Sequence, residues 1–195
     1  MTKNLNLIEL KNNFLSNTFK NEDDVKINFH SDIIKPILRV VNPLRANQYS
    51  SENRLLSGGR TDATFQNISF EYKKYGYFDT RAGIDEALYG RKNQNDHGLY
   101  DYIISDSYIT GNDNIDNIIQ KITNNIGVGF DGKQFIFARF IKSPQKTKLN
   151  TSKTTIGDLP ELNIEFHYEV NDFDSGLRKL VLLLKQQNKI ALTKK

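Results

Sequence analysis

Two hydrophobic periods alternate along the chain, and their order predicts the elements. Leu7, Ile8, Phe14, Leu15 and Phe19 recur at helical spacing and predict an amphipathic first helix. A second stripe, Val25, Phe29, Ile33, Ile37 and Val40, predicts a helix that starts after Asn21. Asn21 suits the N-cap, and Glu22, Asp23 and Asp24 sit in the first turn, where the helix dipole favours anions. Glu22 falls on the apolar stripe and is expected to face inward. Pro36 lacks a backbone donor, so it is expected to kink this helix or to begin a new segment. The period then drops to two. Thr61–Phe65 and Ile68–Lys73 read as a β-hairpin joined by Gln66 and Asn67, with Asn67 tolerating the left-handed conformation a tight turn requires.

Helical patterns return near residues 80–92, 97–108 and 115–126, the last marked by Ile115, Ile118, Ile119, Ile122 and Ile126. Residues 127–140 read as a second hairpin through Asp131-Gly132, and 142–159 as a polar, basic loop. Leu162–Val170 alternates as a strand, and Asp172 or Asp174 caps a last helix carrying Leu177, Leu180, Val181 and Leu184. This order predicts an α/β protein: a mixed central β-sheet flanked by helices.

The first hairpin carries the chemistry. If its turn closes at Gln66-Asn67, Phe65 pairs with Ile68, Thr64 with Ser69, Ala63 with Phe70 and Asp62 with Glu71. Alternation puts Ala63, Phe65, Ile68, Phe70 and Tyr72 on one apolar face and Asp62, Thr64, Ser69, Glu71 and Lys73 on the other. Opposed like charges repel across a sheet. A divalent cation between Asp62 and Glu71 reverses that repulsion. Carboxylate oxygens suit Mg²⁺, which binds through one or two acids plus phosphate oxygens and waters. Lys73 would point to the same side, where an ammonium can orient a water or neutralise charge on a phosphoryl group. The plainer reading is a polar sheet face with an ordinary Glu–Lys ladder.

Asp62 followed after a turn by Glu71-Tyr72-Lys73 resembles the bipartite motif of the PD-(D/E)xK nuclease superfamily. The longer string, Ser57-Gly58-Gly59-Arg60-Thr61-Asp62 with Phe70-Glu71-Tyr72-Lys73, resembles one branch of it. That branch is the N-terminal nuclease domain of bacterial restriction enzymes, both type I restriction subunits and restriction endonucleases fused to an adenine methyltransferase. Thr61 stands where the superfamily's name has proline, a residue often absent in that branch. The resemblance spans about residues 5–140 and is strongest at 20–38 and 57–74. It implies a restriction-endonuclease-like core, with Asp62, Glu71 and Lys73 catalytic. Asp62 and Glu71 would bind Mg²⁺, for which Mn²⁺ can substitute, and Glu22 is the acid that completes the metal site. It also implies that residues 1–195 form one nuclease domain, standing alone or heading a larger restriction-modification polypeptide. The partners implied are double-stranded DNA and methyltransferase, helicase or specificity domains or subunits, with dimerisation on DNA.

Composition narrows the field modestly. The chain has 195 residues, a net charge of +4 and no cysteine, which permits a polyanionic partner and excludes thiolate chemistry. The polar N-terminus carries no signal-like apolar run, and a cytoplasmic location is expected. Arg60, beside the acidic strand, is a candidate DNA contact. Lys142, Lys146, Lys148 and Lys153 form a basic loop, which reads first as a solvated loop and second as one that tracks a DNA backbone. Lys74 should point away from Lys73. His30, His97 and His167 show no ligand spacing. Gly127–Gln134 has P-loop glycine and lysine spacing, but Gln134 stands where Ser or Thr is needed and a β-rich run follows, so a turn explains it better. Two alternatives stay open: a repair or recombination nuclease with the same core, and a non-catalytic nucleic-acid-binding or assembly module.

Overall fold

The computed structural model describes residues 5–54, 60–91, 96–149 and 161–192, and of 51–54, 60 and 187–192 the backbone alone. Three helices precede the sheet: α1 (Leu7–Leu15), α2 (Glu22–Asn28) and α3 (Lys35–Val41). Three strands follow, β1 (Ser50–Arg54), β2 (Arg60–Phe65) and β3 (Ile68–Tyr72), then α4 (Arg81–Tyr89), α5 (Leu99–Ser105) and α6 (Ile115–Asn124). The chain ends in β4 (Ile126–Phe130), β5 (Gln134–Thr147), β6 (Leu162–Asp172) and α7 (Phe173–Leu192). The strands form one six-stranded sheet in sequence order. Every neighbouring pair is antiparallel except β3–β4, which is parallel. A parallel pair needs a long crossover, and α4, α5 and α6 supply it.

Helices cover both faces. On one, Phe14, Phe29, Ile33, Phe70, Phe130, Phe135 and Leu177 lie in one buried cluster. On the other, Leu88, Leu99, Ile103, Ile122, Phe140 and Ile164 form a second. The central strand β3 is buried at every position, so polar side chains there must find partners inside the protein. The fold is an α/β protein with a mixed sheet packed by helices. Among the described residues no helix is long and apolar enough to cross a membrane.

Local chemistry explains where the elements begin and end. Asn21 accepts from the Asp24 N–H while Asp24 accepts from the Asn21 N–H, a reciprocal cap on α2. The chain between α2 and α3 is a π-helix, Phe29–Ile34, in which the Lys35 N–H bonds the His30 carbonyl. That wide turn accommodates Pro36, which offers no N–H and crowds the carbonyl four residues back, and a new α-segment starts there. α1 is shorter than its pattern. It stops at Leu15, where Asn17 bonds the carbonyls of Asn13 and Phe14. Phe19 leaves the helix and its ring stacks on Phe14 and on Tyr75. Asp172, not Asp174, caps α7 by accepting from the Ser175 N–H at 2.8 Å.

The first hairpin adopts the expected register at Phe65–Ile68, Thr64–Ser69 and Ala63–Phe70. Its turn differs: Gln66, not Asn67, takes positive φ. Asn67 is committed elsewhere, its amide donating to the Asn124 carbonyl and its carbonyl accepting from the Ile126 N–H. The stretch 142–147, expected as loop, is strand, because β5 runs to Thr147 beside β6. The register shifts between Lys142 and Thr147, a break that contains Pro144, and a proline is accommodated at such an irregularity. Ile126 belongs to β4 rather than to α6.

Asp131 holds the β4–β5 turn. Its fully buried carboxylate accepts from the backbone N–H groups of Phe78 at 2.7 Å, Lys133 at 2.9 Å and Gln134 at 2.7 Å. Asp131→Ala orphans all three donors and is expected to cost roughly 2–4 kcal/mol. Chemical denaturation checks this, and a midpoint equal to wild type would remove the turn from the stability account.

Candidate active site

The sequence-predicted acids meet at the end of the hairpin. The β2–β3 ladder stops at Ala63–Phe70, leaving Asp62 and Glu71 as the next opposed positions. The Asp62 carboxylate then accepts the Tyr72 N–H at 2.7 Å, a donor that continued pairing would have given to a backbone carbonyl. Asp62 and Glu71 are hydrogen-bonded to each other through their side chains. The Lys73 ammonium lies 2.6 Å from a Glu71 oxygen. Lys74, one residue on, is exposed, with its ammonium over the Tyr77 ring.

Burial makes this cluster electrostatically tense. Glu71 is only 3% exposed, and desolvation pushes its carboxyl up to about 8, with Lys73 opposing and Asp62 adding to the rise. Burial also raises Asp62, against the Tyr72 N–H and the charges of Lys26 and Lys73. Burial alone would lower Lys73, but its ion pair with Glu71 outweighs that and holds the ammonium above its ordinary value. At neutral pH the acid pair therefore retains a proton. A divalent cation placed there would supply positive charge in that proton's place.

Glu22 is half-buried at the start of α2 and faces inward, as its position on the stripe predicts. Burial raises its carboxyl, and its charge neighbours are Lys73, Asp62, Asp23 and Asp96. Among the described residues no three His, Asp or Glu side chains group closely enough to hold an ion. The direct carboxylate contact is between Asp62 and Glu71, with Glu22 a charge neighbour of Asp62 and Lys73. This donor set fits Mg²⁺, which needs no more than two carboxylates when phosphate oxygens and waters fill the remaining positions.

Three neighbours of the site are not on the sequence-derived roster. Lys26 acts on Asp62 from one helical turn beyond Glu22, a spacing that could have flagged it. Asp96 acts on both Glu22 and Lys73, and the buried Tyr102 hydroxyl hydrogen-bonds to Glu71. Those two arrive from the α4–α5 connection and α5, and no local spacing announces them.

The expected DNA contacts are distributed differently. Arg60 opens β2, but its side chain lies outside the described residues, as do Ser57–Gly59 and Lys153. Lys142, Lys146 and Lys148 are exposed, yet they lie toward the far end of the sheet. Glu71 is in register with Gly129 and that with Ile136, so Lys142, six residues on, is roughly 20 Å along β5. The histidines are scattered. His30 stacks on Tyr49, the buried His97 faces Asp101, and the exposed His167 faces Glu165. No protein-family model, curated protein or solved structure matches the chain.

Proposed function

We propose that this chain is a metal-dependent DNA endonuclease of the PD-(D/E)xK type, hydrolysing phosphodiesters within a bacterial restriction-modification system. One observation carries the reading. Two buried carboxylates from adjacent strands, Asp62 and Glu71, touch each other and share a lysine, Lys73. Buried like charges are costly, and a structural role would be better served by one acid and one base. A mixed α/β sheet with this hairpin inside it, covered by helices on both faces, supports the same reading.

In this role Asp62 and Glu71 would hold Mg²⁺ or Mn²⁺ at the site. The bound ion would polarise the phosphoryl oxygens and acidify a water. Lys73 donates from within the site to the attacking water or to a non-bridging oxygen, where charge builds as the new P–O bond forms and the ester bond breaks. Glu22 sets the field on the helix side of the site. Double-stranded DNA is the proposed substrate. Methyltransferase, helicase or specificity functions would come from other domains or subunits, and cutting both strands calls for two sites, hence dimerisation on DNA.

Nicking of supercoiled plasmid tests the proposal. Lys73→Ala is expected to slow Mg²⁺-dependent nicking by about 10²–10³-fold with the fold retained. Full-rate nicking by that variant would sink the mechanism. A wild-type protein that neither nicks DNA nor takes up Mn²⁺ through its carboxylates would sink the function.

A further inference from the structure

We propose that Tyr102 is a positioning residue of the metal site: its hydroxyl donates to Glu71 and fixes how that carboxylate is turned toward Asp62. This rests on the nuclease reading above and adds a residue from outside the hairpin to it.

The argument begins with two glycines of the rejected P-loop string. α5 packs against β4 at Gly127 and Gly129. A Cβ at Gly127 would stand 3.1 Å from the Leu99 side chain and 3.2 Å from that of Ile103, and one at Gly129 would stand 3.5 Å from Leu99. The absent side chains therefore let α5 approach the sheet closely. Gly129 is the register partner of Glu71, so the helix lies over the catalytic strand's neighbour. Tyr102 is three residues after Leu99 on the same inward stripe and is 4% exposed. Its hydroxyl reaches Glu71.

Lys73 and Tyr102 then divide the work. An ammonium on a four-carbon stem attracts Glu71 as a point charge and leaves its rotation loose. A phenol on a packed helix has two torsions, both fixed by neighbours, and its single O–H bond has a direction. Without that bond Glu71 can rotate onto Lys73 and away from Asp62. Partners that orient a ligating carboxylate typically contribute 10–100-fold to metal affinity.

The test is a Mn²⁺ titration of the whole chain by calorimetry, with wild type, Tyr102→Phe, Asp62→Asn and Tyr100→Phe. Tyr100 is the control: its ring packs on Phe140 and Phe166. Tyr102→Phe is expected to bind Mn²⁺ about 10–100-fold more weakly. Tyr100→Phe should match wild type. At saturating metal, Tyr102→Phe should keep its KM for DNA and lose kcat, a split that a merely looser fold would not produce. Wild-type Mn²⁺ affinity in Tyr102→Phe, with binding lost in Asp62→Asn, would overturn the role of Tyr102 alone. No carboxylate-dependent binding in wild type would overturn the nuclease reading and this role together.

Discussion

Asp62→Asn should abolish metal-dependent cleavage, by about a thousandfold or more, while leaving the metal-free protein at least as stable as wild type at alkaline pH. The two halves of this expectation have one cause. The amide oxygen still accepts the Tyr72 N–H, and the amide nitrogen can donate to Glu71, so no buried group loses a partner. What disappears is a negative charge against Glu71, and with it the proposed means of holding a divalent cation. The pH dependence follows from Glu71, whose carboxyl rises from an ordinary 4.5 to about 8 in the folded protein. A folded state that binds the proton more tightly than the unfolded chain gains stability on the acid side. That contribution is full below about pH 4.5 and is lost as pH rises through about 8. Burial is the first cause of the rise and Asp62 a lesser one, so Asp62→Asn should make the loss shallower without removing it. Thermal melts in chelator from pH 6 to 9, beside a nicking assay, check both halves. A variant that still cuts, or that melts below wild type at pH 9, contradicts the account.

The hairpin is the part of this fold most legible in the sequence, because its signals are local. Strict alternation fixes which side chains share a face, and two residues between the runs fix the register at Ala63–Phe70, Thr64–Ser69 and Phe65–Ile68. Helix starts were equally legible where a cap carried them, as at Asn21, because the capping bonds span only three residues. Legibility fails where a distant element decides. The tail of β5 reads as loop, being polar and containing Pro144, and is strand only because β6 pairs along it. Gln66 rather than Asn67 takes the left-handed position because Asn67 is engaged at the α6–β4 junction. The candidate site divides in the same way. Asp62, Glu71 and Lys73 are one hairpin's property, whereas Asp96 and Tyr102 reach it only after the whole crossover has folded.

Gly98→Ala is therefore expected to be a strongly damaging small substitution, although it lies outside the proposed catalytic roster. A Cβ there would come within 2.5 Å of the Leu88 carbonyl carbon and 2.6 Å of the Gly90 nitrogen, contacts with backbone that no rotamer change relieves. Gly90 closes the clasp from the other side. Its φ of +70° suits glycine, and a Cβ on it would meet the Asp96 carbonyl at 2.3 Å. The two glycines let the end of α4 cross the start of α5, and this crossing carries Asp96 and the helix of Tyr102 to the acid pair. Overpacking of this kind costs about 3 kcal/mol, which for a chain of this size lowers the melting temperature by roughly 6–12 °C. Gly111→Ala is the control, since a Cβ there meets nothing within 4 Å. It should stay within about 0.5 kcal/mol of wild type. Cleavage by Gly98→Ala, assayed below its melting point, should fall further than stability alone explains, because α5 cannot return to its seat on β4. A Gly98→Ala protein that melts and cuts like Gly111→Ala would show that the crossing can relax, and that Asp96 and Tyr102 are not held by it.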